Sequence, residues 1–153
     1  MSSVTSIQDL SALLVPVAGQ LLVVPSAVVA EIIKRRDLQR PPEAPEWFLG
    51  TLQWHGESLP VLSFEGLNGQ PVPDPALASR LVIVSALSED VPWRNFAILA
   101  QGVPHLLLMT PADLQPLGDS ALLPAELMKV RVHGQSAVIP NFDYVERQLA
   151  YLK

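Results

Sequence analysis

The sequence predicts a mainly β fold made of two similar small units, and three observations carry that prediction. Fifteen prolines are spread through 153 residues, so that the longest proline-free stretch is the 16 residues from Ala76 to Val91. An interior proline removes a helical hydrogen bond and clashes with the preceding turn, costing about 3 kcal/mol, which excludes long-helix bundles and coiled coils. Between the prolines lie apolar runs of strand length, bounded by glycine and proline. Finally, a shift of 78 residues lays Leu52–Leu67 on Val130–Val145, matching His55 with His133, Gly56 with Gly134, Ser58 with Ser136 and Phe64 with Phe142. Units of roughly 60–75 residues are marginal alone. The two are therefore expected to pack as a tight pair with a groove at their junction.

The elements follow in order. Ala12 to Val17 reads as an apolar strand, Ala18-Gly19-Gln20 as a tight turn and Leu21 to Val24 as the returning strand. Pro25 ends that strand, a short turn over Ser26 to Val29 follows, and Glu31 to Ile33 extends again. Adjacent strand residues face opposite sides, so Ile32 and Ile33 cannot both be core if the strand has one buried face. Leu38 to Glu46, with three prolines, is a loop; Trp47 to His55 and Ser58 to Phe64 flank a second hairpin turn. Glu65 to Ala78 is the best candidate linker, because its glycines and prolines offer little to a packed core. Arg80 to Ala86 is a buried-type strand, Arg94 to Gln101 and Val103 to Met109 look like a pair around Gly102, and Thr110 to Pro124 is loop. Leu127 to His133 and Ser136 to Ile139 form a hairpin around Gly134. From Phe142 onward, Val145, Leu149 and Leu152 recur at helical spacing, which predicts a C-terminal helix.

Composition narrows the function classes. Hydrophobic residues make up 49% and charged residues 16%, so disorder is not expected. With no cysteine, neither a disulfide framework nor a thiolate zinc site is available, and a cytoplasmic location is expected. The net charge of −5 opposes binding to nucleic acid and anionic lipid. No charge occurs in the 21 residues between Asp9 and Glu31, long enough to span a bilayer. Pro16, Gly19, Gln20 and Pro25 interrupt that interval, and no Lys or Arg precedes it, so neither membrane insertion nor a leader peptide is expected.

Few motifs carry chemistry. His55, His105 and His133 lack ligand-pair spacing, and two of them precede turn glycines; no metal or cofactor is expected. Neither a Gly-x-Ser-x-Gly turn nor a phosphate-cradling glycine loop is present, so no catalytic residue is expected. The densest charge is Lys34-Arg35-Arg36 with Arg40 nearby, either a solvated strand end or a dock for an acidic partner surface. Most of Val28, Val29, Ile32, Leu49, Val103 and Leu106 are expected in the core, with some left to face partners.

Three segments resemble the CheW-like domain of bacterial chemosensory arrays. Leu22 to Ile33 is similar to that family's strand, turn and V-x-E-I opening; Gly50 to Gly56 followed by Leu59 to Phe64 is similar to its most specific hairpin; Phe96 to Val103 stands where the family has a strand ending in aspartate and valine. The resemblance implies two intertwined, SH3-like, five-stranded β-barrels with short helices and a C-terminal helix. It also implies a non-catalytic adaptor that docks to the regulatory domain of a CheA-type histidine kinase and to a chemoreceptor's cytoplasmic tip. On this reading 1–153 is one domain, with 12–66 and 142–153 approximately one unit and 79–141 the other. Partner-binding positions are expected at Val29, Glu31, Gly50, His55, Gly56, Val103 and Leu106, together with Arg35 and Arg36 of the basic cluster. The chain departs from the family in three charges: His55 stands for an arginine, Ser63 and Gln101 for aspartates. Neutral histidine cannot reproduce arginine's planar fork, so an accessory member is expected, such as one serving a pilus-type (twitching) system. The rival expectation is a small barrel protein that binds a ligand or hydrolyses one in the inter-unit groove, using His55 or His133.

Overall fold

A computed structural model describes residues 10–89, 91–118 and 121–152. Residues 1–9, on which the expectation of no leader rests, lie outside them. Among the described residues eleven strands form two sheets. In chain order the elements are β1 (Leu10–Val17), β2 (Gln20–Pro25), a 3-10 turn (Ser26–Val28), β3 (Val29–Lys34), β4 (Phe48–Trp54), β5 (Glu57–Leu62) and helix α1 (Phe64–Leu67). Then come β6 (Arg80–Ser85), β7 (Asn95–Ala100), β8 (His105–Met109), a second 3-10 turn (Pro111–Asp113), β9 (Leu114–Pro116), β10 (Glu126–Val132), β11 (Gln135–Pro140) and helix α2 (Phe142–Ala150).

One sheet runs β8-β1-β2-β11-β10-β9 and the other β3-β6-β7-β5-β4. Leaving β9 aside, the two share one pairing scheme. A hairpin (β4–β5 or β10–β11) pairs in parallel with a second hairpin's strand (β7 or β2), whose partner (β6 or β1) meets a lone edge strand, β3 or β8. The duplication read in the sequence is thus present in the fold, but its halves are exchanged. The first half's hairpin β1–β2 is inserted between β8 and β11 of the second half, and the second half's hairpin β6–β7 between β3 and β5 of the first.

This arrangement corrects three expectations. The units do not divide as 12–66 with 142–153 and 79–141, because one sheet takes its strands from 10–25 and 105–140 and the other from 29–100. β7 and β8 do not pair with each other: the amide of Gln101 donates to the Pro16 carbonyl at 2.8 Å and leads the chain into the other sheet. The supposed linker begins as α1, whose Phe64, Glu65 and Leu67 are buried. Ser63 starts that helix by accepting from the Gly66 amide, as Asn141 starts α2 by accepting from the Tyr144 amide. Within the expected loop Thr110 to Pro124, residues 119 and 120 lie outside the described residues and 114–116 form β9.

Alternation along the central strands explains the surplus of apolar residues. On β6, Leu81 and Ile83 point into one barrel while Val82 and Val84 point into the seam; on β1, Ala12 and Leu14 point into the other barrel while Leu13 and Val15 point into the seam. Each barrel therefore has its own small core, and a larger third core fills the junction, where Phe64, Phe96, Val145 and Leu149 meet. Packed apolar side chains occupy the place where a groove was expected.

Two buried carboxylates tie the exchange together. Glu65 of α1 accepts from the Ala18 amide, at 2.8 Å, in the turn of the inserted hairpin β1–β2. Glu146 of α2 accepts from the amides of Leu87 and Ser88, at 2.7 and 2.8 Å, in the connection of the inserted hairpin β6–β7. Each helix so caps a hairpin that pairs within the opposite sheet. The uncharged interval before Glu31 is hairpin and turn, and no helix among the described residues is long and apolar enough to cross a membrane.

Candidate functional site

The two His-Gly turns are alike in backbone: His55 and His133 have φ of 47° and 49°, and Gly56 and Gly134 have 78° and 79°. Two successive residues at positive φ make the tight connection whose twist suits a two-residue hairpin. His133 and His55 sit exposed at the tips of hairpins in different sheets, so they do not converge on one pocket. Among the described residues no cluster of His, Asp and Glu could hold a metal ion.

Around His55 the sheet edges β3 and β4 meet through side chains. Glu31 of β3 accepts from Trp54 Nε1 at 2.8 Å and lies 3.3 Å from His55 Nε2. The hydrogen bond from Trp54, and then that from His55, holds the Glu31 carboxyl below the usual carboxylate range. The Trp54 and His55 rings pack edge to face, 4.6 Å between centroids. Glu31, His55 and Gly56 are thus brought into one exposed cluster, with histidine supplying the partner for Glu31.

The basic cluster is fastened to backbone carbonyls. Arg36 donates to the Gln53 carbonyl and Arg35 to the Ala76 carbonyl, each at 3.1 Å. Arg40 donates to the carbonyls of Phe48, Ala44 and Pro45. Just beyond β3, Gln39 and Thr51 exchange backbone hydrogen bonds and close this barrel. In the other sheet, Leu117 donates to Lys129 at the position one repeat later. Gly50 does not reach the surface: it is buried on a bulge at φ 135°, and a Cβ there would stand 2.8 Å from Leu38 Cβ and 2.9 Å from the Gln39 carbonyl oxygen. Its role is to admit that closure.

The remaining expected positions divide by exposure. Val28, Val29 and Leu49 pack against the cores and Ile33 lies in its barrel, whereas Ile32 is 39% exposed. Val103 and Leu106 are 47% and 68% exposed, and Leu108, which the sequence reading did not single out, is 69% exposed. Leu106 and Leu108 share a face of edge strand β8, while Leu107 and Met109 turn into the barrel. The run from Leu106 to Met109 is apolar throughout, so only its period of two, set in register with Leu13 of β1, separates the faces. Of the three missing family charges, Ser63 is buried and caps α1, a task that an aspartate also performs.

The CheW-like domain profile matches residues 11–146. No curated protein matches the chain significantly. Among solved structures, the chain is similar to the scaffolding protein TtCheW from Thermoanaerobacter tengcongensis, with a TM-score of 0.71 and 16% identity, over 86% of this chain and 84% of that one. At that identity the likeness speaks for the fold, two SH3-like barrels, and for no individual contact.

Proposed function

The chain belongs to the CheW-like domain family, and from that premise we propose that it docks to the regulatory domain of a CheA-type histidine kinase and to the cytoplasmic tip of a chemoreceptor. Members of the family are non-catalytic scaffold and adaptor proteins of chemotaxis. The observation that carries the reading is the exposed apolar pair of Leu106 and Leu108 on edge strand β8, with the exposed Val103 just before that strand. An edge strand offers unpaired backbone groups, and apolar side chains beside them favour addition of a partner's strand. The exposed polar cluster of Glu31, His55 and Gly56, with Arg35 and Arg36 of the basic cluster, offers a second docking surface on the other sheet. Because His55 replaces an arginine, the chain serves as an accessory adaptor in the cytoplasm, in a pilus-type (twitching) system.

Binding of the purified kinase regulatory domain tests this. We expect a dissociation constant in the micromolar range for the wild-type chain. Leu106 and Leu108 together are worth roughly 2–4 kcal/mol when covered, so L106D with L108D weakens binding by about thirtyfold or more. Absence of binding by the wild-type chain at about 100 μM overturns the reading.

A further inference from the structure

We propose that the open mouth of the second barrel, the one built from β3 to β7, ringed by Lys34, Arg35, Arg36 and Arg80, holds an acidic peptide segment of a protein partner that also presents an apolar side chain. The inference rests on the reading of the chain as a docking module and names the chemistry recognised at its basic cluster. Two adjoining cavities make up the mouth. One, of about 320 Å³, has an apolar floor that includes Leu49, Leu81 and Leu99 and is bordered by Arg35 and Arg36. Its neighbour, of about 350 Å³, shares those two arginines and adds Lys34 and Arg80. Four of the chain's ten basic residues therefore converge here, against the two carboxylates of Asp37 and Asp74, in a protein of net charge −5.

The guanidinium groups are oriented before any ligand arrives. Arg35 donates through Nε to the Ala76 carbonyl, and Arg80 donates through Nη1 to the carbonyls of Leu77 and Ser79. Both are held by the same loop with further N–H donors left over, the fork that suits a carboxylate. Among the described residues none of the four cations makes an ion pair. The corresponding mouth of the first barrel differs: its cavity is lined by Ser11 and by apolar residues such as Val23, Met109 and Ile139, with no charged side chain. The charge is thus a property of one mouth and not of the shared architecture. Cations beside an apolar floor fit a carboxylate side chain next to an aliphatic one. No glycine-rich turn leads into a long helix here to cradle a phosphate.

The probe is an acetylated, amidated nonapeptide with acidic residues on both sides of a single leucine, titrated into the full chain while amide shifts are followed by NMR. We expect saturable shifts at Lys34 to Leu38 and at Ser79 to Leu81, and affinity that falls about fivefold or more between 50 and 300 mM salt. R35Q with R80Q lowers the affinity by about tenfold; K34Q, which touches no carbonyl of the loop, lowers it by about threefold with an unchanged melting temperature. Equal binding of a peptide with lysine in place of the acidic residues, shifts scattered away from the mouth, or K34Q binding as wild type each overturns the proposal. So does inorganic phosphate reproducing the shifts while the peptide gives none, which makes the mouth a free-anion site. Kinase capture abolished by L106D with L108D but unaffected by R35Q with R80Q, alongside a silent peptide titration, sinks this inference and leaves the docking reading standing.

Discussion

Replacing Gly50 with alanine tests how the second barrel closes. At φ 135° the backbone occupies a region that side-chain-bearing residues avoid, at a cost of about 1–3 kcal/mol. The added Cβ stands 2.8 Å from Leu38 Cβ and 2.9 Å from the Gln39 oxygen, and part of that contact is with backbone, which cannot swing aside. Overpacking of this kind costs about 1–3 kcal/mol more. Relief by displacement pulls Gln39 away from Thr51 and breaks their backbone pair. We therefore expect G50A to lose about 2–6 kcal/mol, which lowers the melting temperature by roughly 4–24 °C. Gly56, in the same hairpin, is the control: its φ is 78° but nothing lies within 4 Å of a Cβ there, so G56A carries only the conformational cost of about 1–2 kcal/mol. Urea denaturation of the two variants side by side measures the difference. Equal losses, or G50A within about 1 kcal/mol of wild type, refute the steric account.

Glu146 and Glu31 give two more tests. E146A removes the acceptor for the Leu87 and Ser88 amides and is expected to cost about 2–3 kcal/mol and to speed hydrogen exchange at Leu87; a melting temperature within about 1 °C of wild type counts against the cap. The lowered pKa of Glu31 means that its contribution to stability is complete above the usual carboxylate value of about 4.3 and is lost as the pH falls through the lower folded-state value. Unfolding profiles from pH 3 to 7 should therefore flatten at their acid end in E31Q, and coincident profiles contradict the assignment.

What could be read from the chain was local chemistry. The His-Gly turns and the first hairpin follow from glycine at positive φ and from apolar runs, and the fold has them where they were expected. α1 escaped because four residues show no helical period. The repeat nevertheless pointed to it, since Phe64 aligns with Phe142, the first residue of α2. Pairing partners were not legible: nothing local to Gly102 tells a tight turn from a crossing, which is decided by the distant Pro16 carbonyl. Of the candidate site, Val103 and Leu106 are exposed although most of their apolar set was expected in the core, while Gly50 and the arginines owe their positions to contacts made across the barrel.

The exchanged hairpins bear on mechanics. The backbone passes from one sheet to the other between β2 and β3 and again between β7 and β8. A pull applied between the two barrels therefore loads two covalent crossings in parallel, where a pair of merely abutting domains would offer only their noncovalent seam. Separating the barrels requires dragging β1–β2 out from between β8 and β11, or β6–β7 out from between β3 and β5, so that rows of backbone hydrogen bonds must fail together. Tension between partners gripping opposite ends is transmitted through such a body, and its two barrels stay joined until one of them unravels.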